Sequence, residues 1–234
     1  METASGPTRP NETRRERRRR EKTEEIIAIA MRLVVSEGLE ACSLHRISRE
    51  LGVAVAGLYR YFPSKMALIA ALELRVITEL SKVLETARRP HEPLDGPVDG
   101  LVRVIAIAEA YRRYADAAPA RFALIQQIMA DPKLVLSGEL GQHVLTAMME
   151  LLGQVAASVK AAERQRAMEP GDPLERAVVF WSGVRSVLQM RKLEAHSPMV
   201  NHRKLFRSMI TTLLRGWGAT NESVEDAWAQ ADRG

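Results

Sequence analysis

Apolar residues recur at the three-to-four-residue spacing of helices along most of the chain, and turn-forming residues separate these runs. Ile26, Ala30 and Val34 begin the pattern, which predicts a first helix over 23–37 that ends at Gly38. No stretch longer than a few residues alternates apolar and polar positions as a half-buried strand does. The sequence therefore predicts an all-α protein.

Three further helices are predicted before residue 90. Ser43 is a suitable N-cap for a second helix that closes at Gly52. Residues 55–61 form a short third helix, and Ser64 caps a long fourth helix over 65–89. These short elements and tight connections predict a small helical domain at the front of the chain.

The remainder of the chain is also predicted to be helical. Prolines and glycines between positions 90 and 100 indicate a loop between the two halves. We predict helices over 99–116, 119–129, 137–168, 172–194 and 201–217, with a possible break near Gly153. The acidic residues after Ala219 are predicted to form a flexible tail.

The positive charge of the chain is concentrated near its N-terminus. Residues 1–65 hold 13 lysines and arginines against 9 acidic residues, whereas the net charge of the whole chain is only +5. Most of the excess lies in a run of arginines between positions 14 and 20. Such a cluster is typical of proteins that bind a polyanion, but it is equally compatible with a solvated, disordered tail.

The segment from Ser43 to Lys65 is the most informative part of the sequence. It contains two short helices joined by a turn with a glycine, which is the pattern of a helix-turn-helix. In such proteins the second helix lies in the major groove of DNA. The residues expected to form the core of this unit are Leu44, Ile47, Leu51, Val53, Leu58 and Phe62.

This segment resembles the DNA-binding domain of the TetR/AcrR family of repressors. The resemblance lies in Gly52-Val53, Leu58-Tyr59, Tyr61-Phe62 and Ser64-Lys65, and it extends over about residues 22–80. It implies double-stranded DNA as a partner, a homodimer, an operator with twofold symmetry, and release from DNA when a small molecule binds. The rest of the chain resembles the family only in being helical.

The resemblance also implies roles for individual residues. Ser43, Tyr59, Tyr61 and Lys65 would contact phosphates, Val55, Ala56 and Gly57 would lie at base edges, and His45 and Arg46 would reach the DNA backbone or a base. The third helix offers mostly apolar atoms for reading bases. We therefore hypothesise that specificity depends partly on DNA shape and on arm arginines in the minor groove, namely Arg18, Arg19 and Arg20.

This interpretation divides the chain into four parts. They are a basic arm (1–21), the helix-turn-helix DNA-binding domain (22–82), a helical ligand-binding and dimerisation domain (83–218) and the flexible tail (219–234). The last two long helices are the candidate dimer surface. The candidate pocket for a small apolar or amphipathic effector comprises Tyr111, Tyr114, Phe122, Met129, Met148 and Trp181, whose spacing fits ordinary core packing equally well.

Several other classes of protein are disfavoured. The single cysteine, Cys42, cannot form a disulfide within the chain, and the histidines lack the spacing of metal ligands. No hydrolase elbow or phosphate-binding loop is present, so we expect neither an enzyme nor a cofactor. Neither a signal peptide nor a membrane-spanning run is recognised, which predicts a cytoplasmic protein without a membrane partner.

Two alternatives remain. One is a helical ligand-binding protein or enzyme with a basic tail, which a DNA mobility-shift experiment would separate from a regulator. The other is a peripheral membrane protein anchored by the arginine run. That run lacks the apolar face that an interfacial helix needs, so its binding to lipid would depend on charge alone.

Overall fold

A computed structural model describes residues 13–88, 98–130, 138–194, 196–197 and 201–231, except for the side chains of 127–130, 138, 192 and 193. All regular structure within these residues is helical, which confirms the all-α class. The helices are α1 (Arg14–Glu37), α2 (Leu44–Leu51), α3 (Val55–Tyr59), α4 (Lys65–Arg88), α5 (Asp99–Ala117), α6 (Pro119–Ala130), α7 (Gly138–Arg164), α8 (Pro173–Gln189), α9 (Arg191–Glu194), α10 (His202–Gly216) and α11 (Asn221–Ala231).

The chain forms two compact units that divide between Leu72 and Glu73, within α4. The division precedes the boundary that we placed after residue 82, and each unit has its own core. The predicted loop at 90–100 lies mostly outside the described residues, and α5 begins at Asp99.

The first unit is built around apolar side chains of α1, α2 and α3. Ile26, Ile47 and Leu58 are almost fully buried at its centre. Two residues that we placed in this core are less buried than expected. Leu51 is only half-buried, and Val53 is 39% exposed because it lies in the turn between α2 and α3, outside both helices.

Local capping explains where the helices of the first unit begin and end. The Ser43 hydroxyl accepts a hydrogen bond from the Arg46 N–H at 3.3 Å, and the Ser64 hydroxyl accepts one from the Ala67 N–H at 3.1 Å. Gly52 closes α2 with φ +63°, a left-handed conformation that favours glycine. These three predicted helix signals are confirmed.

We placed the start of the first helix at residue 23 and assigned residues 1–21 to a basic arm, but residues 14–21 form the first turns of α1. Thr13 caps this helix, since its hydroxyl accepts from the Glu16 N–H at 3.2 Å and its own N–H donates to the Glu16 carboxylate at 2.8 Å. This backbone hydrogen bond lowers the pKa of Glu16. Arginine is also a good helix former. Residues 1–12 lie outside the described residues.

Cys42 is fully buried in the first unit. Burial raises the pKa of the Cys42 thiol above its usual range, although the positive charge of Lys65 opposes the shift. A protonated, inaccessible thiol is a packing residue rather than a reactive one.

In the second unit, α5 packs against α7 and α11, while α8 packs against α7 and α10. Two glycines permit close approach between helices. A Cβ atom at Gly100 would lie 2.3 Å from the Ala162 backbone nitrogen, and one at Gly183 would lie 2.9 Å from the Met209 sulfur. The first contact joins α5 to α7, and the second joins α8 to α10.

Helix α7 differs from the sequence-based prediction in two respects. It continues through Gly153 without a break. Contrary to our expectation, its residues Glu139–Arg164 are long and apolar enough to span a membrane by length and composition alone. However, its apolar stripe is buried within the second unit, where Leu151, Val155 and Val159 have no exposed surface. This burial matches a core helix of a helical domain.

The predicted flexible tail is also wrong over Asn221–Ala231, which form α11. Trp228 is 2% exposed, its indole N–H donates to the Thr211 hydroxyl at 3.2 Å, and the Arg207 guanidinium lies 4.6 Å from its ring centroid. Val224 is buried on the same side of the helix. This apolar face attaches α11 to the second unit.

The predicted helix over 172–194 is divided into α8 and α9.

Candidate nucleic-acid interface

Helix α3 presents an edge of the first unit to solvent. Leu58 is 1% exposed and anchors the helix, whereas Ala56 is exposed and Val55 and Gly57 are half-buried. The three residues that we placed at base edges therefore occupy consecutive positions in the first turn of an anchored helix. They offer methyl groups and backbone atoms, which suit contact with thymine methyl groups.

The candidate phosphate-binding residues flank α3. The Tyr59 side chain is 46% exposed, Lys65 is exposed, and Ser43 and Tyr61 are half-buried. The Lys65 ammonium lies 3.8 Å from Glu40, whose side chain is almost fully exposed. Such an open ion pair contributes little to stability. A phosphate could therefore replace this carboxylate at small cost.

His45 and Arg46, at the start of α2, have different environments. The His45 side chain is exposed. Arg46 is engaged in a two-pronged ion pair with Glu37 at the end of α1, with one hydrogen bond of 2.6 Å. The pair ties α2 to α1, so Arg46 has a structural partner that the sequence did not reveal.

A basic groove lies where the start of α1 meets the segment after α3. It has a volume of about 530 Å³, and its lining residues are Arg14, Arg15, Arg18, Arg19, Arg60 and Tyr61. The Arg60 guanidinium lies 4.9 Å from the Tyr61 ring centroid and donates to the Tyr61 hydroxyl at 3.2 Å. This surface, called the basic groove below, concentrates positive charge beside α3.

Only part of the basic groove was predicted. Our prediction named Arg18 and Arg19, and also Arg20, which is exposed but does not line the groove. It omitted Arg14 and Arg15, although Arg14 lies four residues before Arg18, and Arg15 lies four residues before Arg19, so each pair is adjacent on the surface of a helix. Arg60 could be assigned to the groove only from the fold.

In the second unit, some of the predicted pocket residues form an aromatic cluster. The rings of Tyr111 and Trp181 stack with centroids 4.5 Å apart and planes inclined by 7°, and Phe122 meets Tyr111 edge-on at 5.8 Å. Tyr114 is half-buried one turn further along α5, and Met148 is buried on α7. The sixth candidate, Met129, has a side chain outside the described residues.

The two tyrosine hydroxyls are held in their neutral form. Burial raises the pKa of Tyr111 far above its usual range, and the charge of Arg185 only partly opposes this. Burial, assisted by the negative charge of Glu79, raises the pKa of Tyr114 to about 12. Both groups are therefore hydrogen-bond donors at physiological pH. Across the described part of the chain, no three His, Cys, Asp or Glu side chains cluster as metal ligands.

Comparison with known sequences identifies two matching regions. Residues 26–72 match the family described as bacterial regulatory proteins, tetR family. Residues 104–213 match the tetracyclin repressor-like C-terminal domain. The first region contains α2, α3 and their support from α1, and the second contains the aromatic cluster.

Similar proteins include nucleoid occlusion factor SlmA of Haemophilus influenzae, with 31% identity over 101 residues, 37% of this chain and 46% of SlmA. An HTH-type transcriptional regulator of Mycobacterium tuberculosis is 33% identical over 100 residues, 43% of this chain and 41% of that regulator. The match therefore spans less than half the length of either relative.

A solved structure has the same fold. AibR, crystallised with isovaleryl coenzyme A and operator DNA, aligns with a TM-score of 0.59 and 18% identity over 82% of this chain and 98% of AibR. The two matching regions agree with the helix-turn-helix at α2 and α3 and with the helical second unit. The chain therefore belongs to the TetR family of bacterial regulatory proteins.

Proposed function

We propose that this protein is a DNA-binding transcriptional repressor that leaves a twofold-symmetric operator when a small molecule binds its second unit. The observation that carries the proposal is the partly exposed first turn of α3, which is flanked by hydroxyl and ammonium groups and by the basic groove. Phosphate contacts and base contacts have different roles in DNA binding, because phosphate contacts fix the position of the protein whereas base contacts select the sequence.

The proposed DNA contacts form three sets. Val55, Ala56 and Gly57 approach base edges in the major groove. Ser43, Tyr59, Tyr61 and Lys65 bind phosphates beside them, with exposed His45 nearby. The basic groove supplies a third set, which follows the DNA backbone or reaches the minor groove. Arg46 contributes to DNA binding only if its ion pair with Glu37 opens.

The proposed effector site is the aromatic cluster of the second unit. Two polar contacts connect its surroundings to the second-unit part of α4. Arg121 of α6 donates to Glu79 at 3.0 Å, and Gln154 of α7 donates to the Ser81 hydroxyl at 2.7 Å. A ligand that shifts α6 or α7 would therefore also shift α4, which continues into the first unit. Release requires that the ligand bind the DNA-incompetent arrangement more tightly.

The proposed dimer surface lies on α8 and α10. Leu174, Val178 and Val179 of α8 and Leu205 of α10 each expose more than 40% of their surface. Exposed apolar side chains on two packed helices suit burial against a second copy of the chain. A dimer would place two α3 helices in successive major grooves, about 34 Å apart or a multiple of that distance.

The named relatives support a regulator that responds to a ligand. AibR was crystallised with both operator DNA and isovaleryl coenzyme A, and the M. tuberculosis relative is named a transcriptional regulator. We extend both properties to this chain as part of the proposal. In the same proposal the protein is cytoplasmic, has no membrane partner and has no catalytic role.

The proposal is tested by selecting an operator from random duplexes and measuring affinity by fluorescence anisotropy. Tyr59→Ala and Lys65→Ala should each weaken binding by about tenfold, the effect of losing about 1.4 kcal/mol of interaction. Both side chains are exposed, so the fold should be retained. Lys160→Ala, which removes an exposed lysine from α7, is the matched control and should bind like the original protein. Unchanged affinity in both test variants contradicts the proposed interface.

The dimer is tested by sedimentation. Val178→Glu places a charge on the proposed α8–α10 surface and should convert dimers into monomers at micromolar concentration, because an uncompensated buried charge is costly. Val35→Glu alters another exposed valine, on α1, and should leave the dimer intact. A dimer that withstands Val178→Glu must use another surface.

A further inference from the structure

Five polar side chains lie in or beside the aromatic cluster, and each has a buried nitrogen or oxygen atom that makes no full hydrogen bond with the described residues. The Tyr114 hydroxyl is the least isolated of them, because the Arg121 guanidinium also interacts with it. We call them the donor cluster. Its members are Tyr111 and Tyr114 of α5, Gln126 of α6, and Trp181 and Arg185 of α8. The unpartnered atoms are two phenol hydroxyls, an amide nitrogen, an indole nitrogen and a guanidinium nitrogen.

These five groups lie close together. Trp181 stacks on Tyr111, and Arg185 follows Trp181 by one helical turn. The charge of Arg185 acts on the Tyr111 hydroxyl, and Tyr114 lies close enough to influence the same group. Arg185 Nη1 is 3.5 Å from the Gln126 carbonyl oxygen, which also accepts a 2.7 Å bond from Gln189. The Gln126 oxygen is therefore already satisfied, and its amide nitrogen is not.

All the unpartnered atoms of the donor cluster can donate a hydrogen bond, and three of them, on Gln126, Trp181 and Arg185, can only donate. A buried donor left without an acceptor destabilises the folded protein, so an excess of unpartnered donors in one place is unfavourable. A ligand that brings acceptor oxygens removes this cost. The chemistry of the cluster thus selects for a ligand that is rich in acceptors.

The charge balance makes that ligand an anion. Among the described residues, the carboxylates of this unit that form ion pairs are paired with arginines other than Arg185, as Glu79 is with Arg121 and Asp116 is with Arg191. The carboxylate that acts on Tyr114 is Glu79, and Glu79 is paired with Arg121. Arg185 therefore contributes a positive charge that the neighbouring described side chains do not neutralise, beside Tyr111, which is 1% exposed.

We propose that the donor cluster binds the carboxylate of a small aromatic acid, whose ring packs against the outside of the aromatic cluster formed by Tyr111, Phe122 and Trp181. The guanidinium of Arg185 pairs with the carboxylate, and the phenol hydroxyls of Tyr111 and Tyr114 donate to its oxygens. Guanidinium groups bind carboxylates in a two-pronged geometry, and aromatic rings favour edge and offset contacts with other rings. This assignment rests on the proposed sensing role of the second unit and adds the class of ligand.

The test compares carboxylates with their neutral amides, which share the ring and differ in charge. The probes are benzoate and benzamide, phenylacetate and phenylacetamide, and cinnamate and cinnamamide, each added to the full-length protein. At about a hundredfold excess over Kd, at least one carboxylate should raise Tm by about 5 °C more than its amide. If every carboxylate behaves like its amide, the assignment is overturned.

Two variants locate the binding group. Arg185→Gln should weaken carboxylate binding at least tenfold and remove the difference between acid and amide, whereas Arg113→Gln, on an exposed arginine of α5, should preserve it. Tyr111→Phe removes one hydroxyl without changing the packed ring, and it should weaken carboxylate binding severalfold even if Arg185→Gln fails to fold. A carboxylate preference that survives both variants overturns the assignment.

Operator affinity measured on the same samples separates this inference from the proposed function. Carboxylate binding that leaves operator affinity unchanged contradicts a ligand-released repressor but supports the anion site. Operator release by acids and amides alike overturns the anion site but supports the proposed ligand-released repressor.

Discussion

At the scale of single residues, two glycines of the helix-turn-helix have different reasons for being there. Gly52 has φ +63° and closes α2, so its backbone conformation requires glycine. Gly57 lies inside α3 without a positive φ, and a Cβ atom there would meet no atom within 4 Å. The fold therefore constrains Gly52, whereas Gly57 has no structural reason to lack a side chain.

Alanine substitutions should separate these two roles. Gly52→Ala should lower the free energy of unfolding by about 1–2 kcal/mol because it forces a β-carbon into the left-handed region. Gly57→Ala should leave stability unchanged or raise it by about 0.5–1 kcal/mol, since alanine is the better helix former. Urea unfolding measures both values.

The two variants should have the opposite order of effects on operator affinity. Gly57→Ala adds a methyl group where we place a base edge, and it should weaken operator binding by about tenfold, within the 1–3 kcal/mol typical of one base contact. Gly52→Ala should bind normally at temperatures where it remains folded. If Gly57→Ala binds as well as the original protein, α3 does not approach the bases through this residue.

At the scale of helices, signals within a few residues of one another could be read from the sequence. Ser43 and Ser64 cap α2 and α4, and Gly52 ends α2, as predicted. These features depend on hydrogen bonds to the nearest turn, which the sequence alone specifies. The candidate DNA-contacting residues of α3, in contrast, were assigned from the resemblance to the TetR/AcrR family, and their roles stay a prediction.

Features that depend on distant contacts could not be predicted in this way. We predicted an acidic, flexible tail where the structure has α11. This helix is stabilised by burial of Trp228 and Val224 against other helices of the second unit, and such distant contacts leave no local signal in the sequence. The early turns of α1 lack apolar periodicity, and our sequence analysis did not recognise the capping pair of Thr13 and Glu16 that begins the helix. Arg60 joins the basic groove only because the fold places α3 beside the start of α1.

The contact between α5 and α7 depends on one glycine. A Cβ atom at Gly100 would lie 2.3 Å from the Ala162 nitrogen and 2.4 Å from its Cα, and backbone atoms cannot rotate away. Gly100→Ala should therefore force the helices apart and destabilise the protein by about 1–3 kcal/mol. Gly153→Ala on α7 is the control, since its Cβ meets no atom and should be neutral or stabilising. Thermal unfolding of the two variants measures this difference, and a Gly100→Ala variant as stable as Gly153→Ala would contradict the close contact between α5 and α7.

The ion pair between Glu79 of α4 and Arg121 of α6 should matter for coupling more than for stability. Both side chains are about a third exposed, so the pair contributes only about 0–1 kcal/mol to folding. Glu79→Gln should keep operator affinity near that of the original protein when no effector is present. The decrease in affinity caused by an effector should shrink by about threefold or more, the range expected for a coupling residue.

This prediction is measured as the ratio of operator affinities with and without a saturating aromatic carboxylate. Glu150→Gln, at an exposed position of α7, is the control and should leave the ratio unchanged. An unchanged ratio in Glu79→Gln means that the signal reaches α4 by another route, such as the hydrogen bond from Gln154 to Ser81.

At the scale of the whole molecule, the excess of positive charge is concentrated in the unit that we propose binds DNA. The first 65 residues carry most of the excess positive charge of the chain, although the net charge of the whole is only +5. The basic groove orders at least four of these arginines on one face of α1. Counterions are released from DNA when such side chains neutralise phosphates, so the salt dependence of binding reports how many arginines take part.

Removing two of these arginines should therefore flatten the salt dependence. Arg15→Gln combined with Arg19→Gln should reduce the slope of log K against log salt by about 0.9 for each phosphate that is no longer neutralised, about 1.8 in all. Glutamine and arginine have similar helix propensities, so α1 should remain helical, which circular dichroism can verify. Arg113→Gln combined with Arg164→Gln removes equal charge from exposed positions of the second unit and should preserve the slope. If both double variants change the slope equally, the basic groove acts through overall charge alone. An unchanged slope in both means that the early turns of α1 do not touch DNA.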